Sequence, residues 1–293
     1  MFVLAYHRMQ YRERHVPPPL DALVECVWFL TSSPGDADAI SAQQILPDGC
    51  VELVCHVGSR FLEISRAGLR SPQPACFLVG LLTSPFAVQP VGGADTIGVR
   101  FRPGCAYLFF RCPIAALTNR AVALDDLWGA PGRDLWERLA ATPDEAARVR
   151  LIARALLERL TRGEPDRITA SAIGDLVKSA GRANVRTLAA RAGVTTRHLQ
   201  RCFAERVGAS PKLVARILRF QNTLRRRACA PDGADWVRVA SECGYTDQSH
   251  LIRDYASFAG ETPVSLLAAE GELSCYFTDP QRLAALFDGR WYG

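Results

Sequence analysis

The feature that most constrains the fold is an internal repeat with a period of about 51 residues. The first copy spans 188–211 and the second spans 239–263, and one extra residue in the second turn shifts the offset to 52. The matching positions are Leu188/Val239, Ala189/Ala240, Gly193/Gly244, Thr195/Thr246, Leu199/Leu251, Phe203/Tyr255, Gly208/Gly260 and Pro211/Pro263. The repeat predicts one small unit built twice.

Each copy predicts two helices joined by a tight turn. In the first copy, Asn184 is placed to cap a helix that ends at Gly193, because glycine adopts the left-handed conformation of a helix end. Thr195 then caps a second helix, Thr196 to about Arg206. The second copy has Asp235 and Gly244 as its cap and stop. The expected inward residues are Leu199, Phe203 and Val207, packed on Leu188 and Ala192, and then Leu251, Tyr255 and Phe258. This arrangement is a helix-turn-helix.

The outward face of each second helix carries side chains that suit DNA. These are Arg197, His198, Gln200 and Arg201 in the first copy, and Gln248, Ser249, His250 and Arg253 in the second. Arginine matches guanine and glutamine matches adenine in the major groove, and the positive helix end favours phosphate. One such pattern is equally compatible with a helical hairpin that never touches DNA, whereas two copies at one spacing favour DNA binding.

A single amphipathic helix, 211–228, is expected between the two copies and closes at Pro231–Gly233. A rod of roughly 25 Å would hold the motifs about one DNA turn apart, so that a monomer reads two successive major grooves of bent DNA. Lys212 and the cluster Arg225–Arg227 are candidate phosphate contacts, and a solvated helix end is the alternative for the cluster.

These motifs resemble a known family. The region 182–268 is similar to the DNA-binding domain of the AraC/XylS family of bacterial transcription regulators. The likeness rests on Gly244–Tyr255, Gly260–Pro263, His198–Phe203 and Ser210–Pro211. It implies that the outward Arg, Gln, Ser and His side chains listed above take the base- and phosphate-contacting positions. Upstream, Leu46–Val54 and Gly98–Gly104 resemble the N-terminal domain of one AraC-like subgroup. This resemblance does not indicate which ligand the domain binds.

The remainder of the chain predicts an α+β multidomain protein. Residues 1–125 form a β-rich sensory or assembly domain with short antiparallel strands near 50–57, 75–82 and 96–102, because prolines bound the last two. Residues 126–181 have helical periodicity and form a connector, with helices near 143–160 and 168–179. Residues 182–268 are the DNA-binding domain and 269–293 a C-terminal extension.

The β-rich domain contains candidate ligand-binding residues. They are Trp28, Glu52, His56, Arg100 and Arg102. Strand alternation places Glu52 and His56 on one face of a strand, and Arg100 and Arg102 on one face of another. A polar outer face or buried salt bridges explain the same residues without a ligand.

Charge and cysteine usage bound the remaining possibilities. The net charge is +5, but 182–268 holds 14 Lys and Arg against 7 Asp and Glu, so this region carries +7 and the rest −2. A cationic third of this kind suits DNA. The ten cysteines are scattered without a Cys-x-x-Cys pair, so we expect reduced, mostly buried thiols and no metal site. A thiol sensor at Cys105 and Cys112 is the alternative.

The motifs favour a sequence-specific, effector-responsive transcription regulator and no enzyme. No phosphate-binding loop, nucleophile elbow or His-Glu-x-x-His motif is present, and no cofactor is expected. An architectural DNA binder and a DNA alkyl-transfer repair protein using Cys112 are the alternatives. The chain lacks a 20-residue apolar run and a signal-peptide pattern, so a cytoplasmic location is expected. Double-stranded DNA is the expected partner, with RNA polymerase, a small-molecule effector and a second copy of the chain as further candidates.

Overall fold

The computed structural model describes residues 3–6, 9–37, 42–65, 67–161, 165–228 and 236–268. The strands are β1 (Val3–Tyr6), β2 (Met9–Arg14), β3 (Val24–Thr31), β4 (Gln43–Ile45), β5 (Val51–His56), β6 (Leu62–Ile64), β7 (Arg70–Pro72), β8 (Cys76–Val79), β9 (Phe86–Gln89), β10 (Asp95–Phe101) and β11 (Ala121–Ala123). The helices are α1 (Pro34–Ala37), α2 (Leu124–Trp128), α3 (Ala130–Ala140), α4 (Glu145–Arg159), α5 (Arg167–Lys178), α6 (Val185–Arg191), α7 (Thr196–Arg206), α8 (Pro211–Ala228), α9 (Trp236–Glu242), α10 (Gln248–Phe258) and α11 (Pro263–Ala268).

The N-terminal region contains two antiparallel sheets. One has seven strands in the order β1-β2-β3-β10-β5-β8-β11, and the other has four in the order β4-β9-β6-β7. Neighbouring strands run antiparallel throughout these sheets. The α+β multidomain prediction, with its β-rich N-terminal region and helical C-terminal region, is confirmed.

The large sheet is buried on both faces. On one face, Phe29, Leu53 and Val99 pack against apolar residues of α3 and α4, such as Leu139 and Ile152. The opposite face turns toward the small sheet and encloses a cavity between the two. Because both faces are covered, β5 is buried along almost its whole length, including the polar His56.

The helices of the expected connector divide between two cores. The α3 and α4 helices belong to the core of the large sheet, whereas Ile173 and Leu176 of α5 pack with Leu188, Leu199 and Phe203 of the first repeat. Among the described residues, the helices of the expected connector therefore do not form a hydrophobic core of their own.

The two halves of the protein contact each other directly. Thr118 Oγ1 donates to the Gly208 carbonyl at 2.6 Å, just before α8, and Gln221 Nε2 of α8 donates to the Pro47 carbonyl at 2.7 Å. A single apolar cluster joins Leu46 of the β domain with Phe220 of α8. The linker helix therefore packs against the β domain as well as joining the two repeats.

One expectation about the cysteines is wrong. Cys55 of β5 and Cys76 of β8 lie opposite each other in the register and are joined by a disulfide. The scattered sequence spacing concealed this pair, because only strand pairing brings two residues 21 positions apart into contact. The free cysteines among the described residues are Cys26, Cys50, Cys105, Cys112, Cys202 and Cys243.

Candidate nucleic-acid interface and ligand cavity

The first repeat positions α7 by a cap, a turn and a core. Thr195 Oγ1 accepts a hydrogen bond from the His198 amide at 3.2 Å, which satisfies one of the amides left unpaired at the helix start. The preceding turn uses Gly193 at φ 67°, a conformation that favours glycine. Leu199 and Phe203 are fully buried on the inner face. The outer face is therefore fixed relative to the core.

The outer face of α7 carries the expected DNA-binding side chains. Arg197, Gln200 and Arg201 are exposed, and His198 is half-buried. Arg201 Nη2 lies 3.0 Å from His198 Nδ1, so these two side chains support each other on the surface. This face presents guanidinium and amide donors to solvent, as a base-reading surface requires.

The second repeat has the same local construction. Gly244 has φ 80°, and the Tyr245 amide donates to the Ala240 carbonyl at 2.9 Å, as the Val194 amide does to Ala189 in the first repeat. Asp247 caps α10 by accepting from the His250 amide at 2.7 Å. The predicted cap of α9, Asp235, lies outside the described residues, as do Pro231–Gly233 and the extension 269–293.

The outer face of α10 is also open to solvent. Gln248, Ser249 and Arg253 are exposed, and Arg253 Nε donates to the Ser249 carbonyl at 3.2 Å. His250 is half-buried because its ring packs edge-on against Tyr245, with 5.0 Å between the ring centroids. The four expected residues thus share one surface, with His250 at its inner border.

Several buried contacts anchor α10 to α8. The Arg216 Nε and Nη2 atoms donate to Asp254 Oδ1 at 3.0 and 2.7 Å, and the Asp254 side chain is 1% exposed. Thr223 Oγ1 and Tyr255 Oη are 2.9 Å apart, and Phe220 packs edge-on against Tyr255. The α10 helix is therefore held by α8, the helix that follows the first repeat.

The basic residues of α8 differ in their surroundings. Lys212 is exposed at the start of the helix. Arg225 donates to Asn222 Oδ1 at 2.8 Å, and Arg226 lies 3.6 Å from Glu242 Oε2. Two members of the Arg225–Arg227 cluster thus have partners within the chain, whereas Lys212 is exposed to solvent.

The cavity between the sheets has a volume of about 120 Å³ and a mostly apolar wall. Four of the five candidate ligand residues line it: Trp28, Glu52, His56 and Arg100. They come from β3, β5 and β10, which are adjacent in the large sheet and direct alternate residues to this face.

Arg102 lies outside the cavity, which corrects the expected alternation. The β10 strand ends at Phe101, and its register with β3 shifts between Arg100 and Phe101. Past this irregularity, Arg102 Nε donates to the Asp21 carbonyl at 2.9 Å. Strand alternation cannot be extended beyond a register shift.

Arg100 forms an ion-pair cluster at one side of the cavity. Its Nε donates to Glu52 Oε1 at 2.7 Å, and its Nη2 lies 3.7 Å from Asp48 Oδ2. Asp48 also accepts from the Cys50 amide at 2.9 Å, which holds the turn before β5. The salt-bridge interpretation of these residues and the cavity interpretation therefore apply together.

His56 is buried and hydrogen-bonded on both ring nitrogens. Nδ1 lies 3.0 Å from Thr96 Oγ1, and Nε2 lies 3.0 Å from Gln73 Oε1. Burial lowers the pKa of His56 to about 4, an effect that the hydrogen bond with Gln73 opposes. The ring is neutral at pH 7, and donation from Nε2 to Gln73 and from the Thr96 hydroxyl to Nδ1 satisfies both nitrogens.

Comparison with protein families matches two separate stretches of the chain. A family described as a helix-turn-helix domain matches residues 188–269, which contain both repeats, and a domain of unknown function, DUF6597, matches residues 12–123. The C-terminal domain is an AraC-type helix-turn-helix domain. The chain therefore carries a helix-turn-helix region that follows a β-rich region matching a domain of unknown function.

Comparisons with other proteins are more distant. ToxT from Vibrio cholerae is 10% identical over 89% of this chain and 98% of that chain, with a TM-score of 0.45. A ToxT structure with a bound unsaturated fatty acid gives 10% identity, 78% and 91% coverage and a TM-score of 0.41. Oxalate decarboxylase from Bacillus subtilis gives 14% identity, 35% and 27% coverage and a TM-score of 0.25. No curated protein matches significantly. TM-scores below 0.5 do not establish a common fold.

Two further features are absent from the described residues. None of the helices in those residues is both long and apolar enough to cross a membrane. Within the same ranges, no group of three or more His, Cys, Asp or Glu side chains is arranged to hold a metal ion.

The thiols at Cys105 and Cys112 are poorly suited to nucleophilic chemistry. Burial raises the pKa of Cys105 to about 12 and also raises the pKa of the half-buried Cys112. A thiol whose pKa is raised is protonated at pH 7, whereas thiolate is the reactive form. These surroundings favour the inert core thiols over the sensor and over alkyl transfer at Cys112.

Sequence reasoning missed several residues of the cavity and of the contact between the two regions of the chain. Thr96 shares a face with Arg100 on β10, so strand alternation already contained that signal. Gln73 and the contact between Gln221 and Pro47 carried no signal, because they depend on how distant segments pack.

Proposed function

We propose that this chain is an AraC-type transcription regulator that inserts α7 and α10 into successive major grooves of one DNA site. The observation that carries the proposal is that two capped helices with exposed Arg and Gln faces are both anchored to α8. The 18 residues of α8 span about 27 Å, somewhat less than the roughly 34 Å of one DNA turn. Bending of the DNA toward the protein would accommodate the difference.

The side chains divide into base readers and phosphate contacts. Arg197, Arg201 and Arg253 are suited to guanine, and Gln200 and Gln248 to adenine. His198, Ser249, His250 and Lys212 are suited to phosphates or to the edges of the base-reading surface. Both helix N-termini would add a favourable interaction with the DNA backbone.

Substitution of the two central arginines tests this assignment. A DNA site is first selected with the wild-type protein from a random pool. Arg201→Ala and Arg253→Ala are each expected to weaken binding to that site by about 1–3 kcal/mol, roughly 5- to 150-fold, and to relax base preference in one half-site. Lys212→Ala should weaken binding to all DNA sequences by a similar factor. It should also reduce the slope of log affinity against log salt concentration by about one.

The matched control is Arg154→Ala. Arg154 is an exposed arginine of α4 that pairs with Glu158. Its substitution removes one positive charge outside the proposed interface. Its effect should be small and independent of sequence. Wild-type affinity and base preference in both Arg201→Ala and Arg253→Ala would contradict the assignment.

We further propose that the β-rich domain is sensory and that a small-molecule effector occupies its cavity. Trp28, Glu52, His56 and Arg100 line that cavity. Support for a regulatory role comes from the segment 46–48: Leu46 and Asp48 line the cavity, while the Pro47 carbonyl between them accepts a hydrogen bond from Gln221 of α8. A ligand that moves this segment would change the support of the helix carrying both recognition units.

A loss of coupling tests the sensory proposal. Gln221→Leu removes the donor to Pro47 without emptying the space. It is expected to make the DNA affinity of the full chain insensitive to a cavity ligand that alters wild-type affinity. An unchanged ligand response in Gln221→Leu would argue against coupling through this contact.

A further inference from the structure

The wall of the cavity is rich in aromatic rings. Five of its lining residues are aromatic: Tyr11, Trp28, Phe61, Phe77 and Phe86. Aliphatic residues such as Leu30 and Val88 complete most of the remaining surface. A wall of this kind binds a compact apolar group, and flat rings pack well against it.

Most polar groups at the cavity already have partners. Arg100 pairs with Glu52, and both ring nitrogens of His56 are hydrogen-bonded. Trp28 differs: its side chain is buried, and its Nε1 finds no hydrogen-bond acceptor among the described residues. A buried donor without an acceptor destabilises the folded chain, so an acceptor supplied by a ligand would recover free energy.

The indole is held in place by its neighbours. The indole of Trp28 lies directly over the β10 backbone at Gly98. A Cβ atom added at Gly98 would lie 1.9 Å from the Trp28 ring, so any residue with a side chain at this position would displace the indole. Tyr11 stacks against the indole, with 6.1 Å between the ring centroids. A donor whose ring cannot rotate freely is pre-organised for one acceptor position.

We propose that the effector is a small, largely apolar, ring-containing molecule whose hydrogen-bond acceptor binds Trp28 Nε1. This inference rests on the proposed sensory role of the cavity and adds the chemical class of its ligand. The acceptor gives the site its orientation, and the aromatic wall supplies most of the affinity. A molecule with the same shape but without the acceptor leaves Trp28 Nε1 unpaired.

Two probes of nearly equal shape test the proposal on the full chain. Acetophenone carries a carbonyl oxygen, and α-methylstyrene replaces that oxygen with a CH₂ group. Dissociation constants are measured by saturation-transfer NMR for wild type and for Trp28→Phe, which keeps an aromatic ring but lacks the donor. The affinity ratio of acetophenone to α-methylstyrene is expected to fall about 2- to 10-fold in Trp28→Phe, the worth of one neutral hydrogen bond.

A control and a second measurement keep the test independent of folding defects. Trp236→Phe, a substitution of a tryptophan in α9 outside the cavity wall, should leave the ratio unchanged. In ¹⁵N-tryptophan-labelled wild type, acetophenone should shift one of the five indole N–H signals downfield, and α-methylstyrene should not. An equal ratio in wild type and Trp28→Phe, equal indole shifts with both probes, or no binding of either probe would each overturn the proposal.

This experiment contains no DNA, so its outcome is separate from that of the DNA-binding proposal. If acetophenone binds as expected but leaves the DNA affinity of the full chain unchanged, the ligand class stands and the sensory role fails. If both recognition-helix variants bind DNA like wild type, the reading of the interface fails and the cavity chemistry stands.

Discussion

The ion pair between Arg216 of α8 and Asp254 of α10 should show an unequal response when either partner is removed. The Asp254 side chain is 1% exposed, whereas the Arg216 side chain is 30% exposed. Loss of the cation leaves a carboxylate that water cannot reach. Loss of the carboxylate leaves a guanidinium that water partly solvates and that also lies over the Phe258 ring at 5.1 Å.

The expected magnitudes follow from this difference in exposure. Arg216→Met should destabilise the packing of α10 by about 3–5 kcal/mol, the usual cost of an unpaired buried charge. Asp254→Asn should cost about 1–2 kcal/mol, because the amide oxygen still accepts from Arg216. The double variant buries no charge and should cost about 2 kcal/mol, well below the sum of the single variants.

Hydrogen exchange read by mass spectrometry measures these costs locally in the full chain. Peptides from α10 report the opening free energy of the second repeat, and peptides from α4 serve as an internal reference. Exchange in α10 should accelerate by roughly 150- to 5,000-fold in Arg216→Met and roughly 5- to 30-fold in Asp254→Asn. Equal acceleration in the two single variants, or a double variant equal to their sum, would refute the reasoning.

Two further predictions concern stability. Because the pKa of His56 falls from 6.5 to about 4 on folding, the unfolded chain binds the proton more readily, so stability is full above pH 6.5 and decreases as the pH falls toward 4. Between pH 6.5 and pH 4, the urea midpoint of the wild type should fall by the equivalent of about 3 kcal/mol of unfolding free energy, and that of His56→Phe should fall less. If both midpoints fall equally with pH, His56 does not cause the loss of stability. Asn184→Ala and Thr195→Ala should each cost about 1 kcal/mol in the first repeat, measured by exchange in α6 and α7, while Asn184→Asp should retain the cap. Exchange unchanged in both alanine variants would show that these caps contribute little.

The helical repeats were predictable because their determinants are local. Asn184 and Thr195 cap α6 and α7 as their positions indicate, and α8 begins at Pro211 and ends at Ala228 as expected. A cap, a turn glycine and a 3.6-residue period all lie within one short window of sequence. Asp247 as the cap of α10 was available from the same reasoning and was missed.

The cavity was only partly predictable because it depends on strand pairing. Alternation brought Glu52, His56 and Arg100 to suitable faces, but it gave no indication that a second sheet would cover them. Arg102 left the pattern where the register shifts, and the Cys55–Cys76 pair required knowing that β5 lies beside β8. Neither the register shift nor the cysteine pairing can be predicted from the sequence of one strand alone.

The contact between α8 and the segment 46–48 bears on how domains of this kind can be recombined. Phe220 and Gln221 belong to a DNA-binding domain, yet both are buried against residues of the β domain. A chimera that joins this β-rich domain to the helix-turn-helix domain of another protein would place an unmatched helix face against Leu46 and Pro47. A working chimera would therefore have to keep the α8 residues that contact Leu46 and Pro47 together with the β-rich domain, because this contact is part of the packing of both domains.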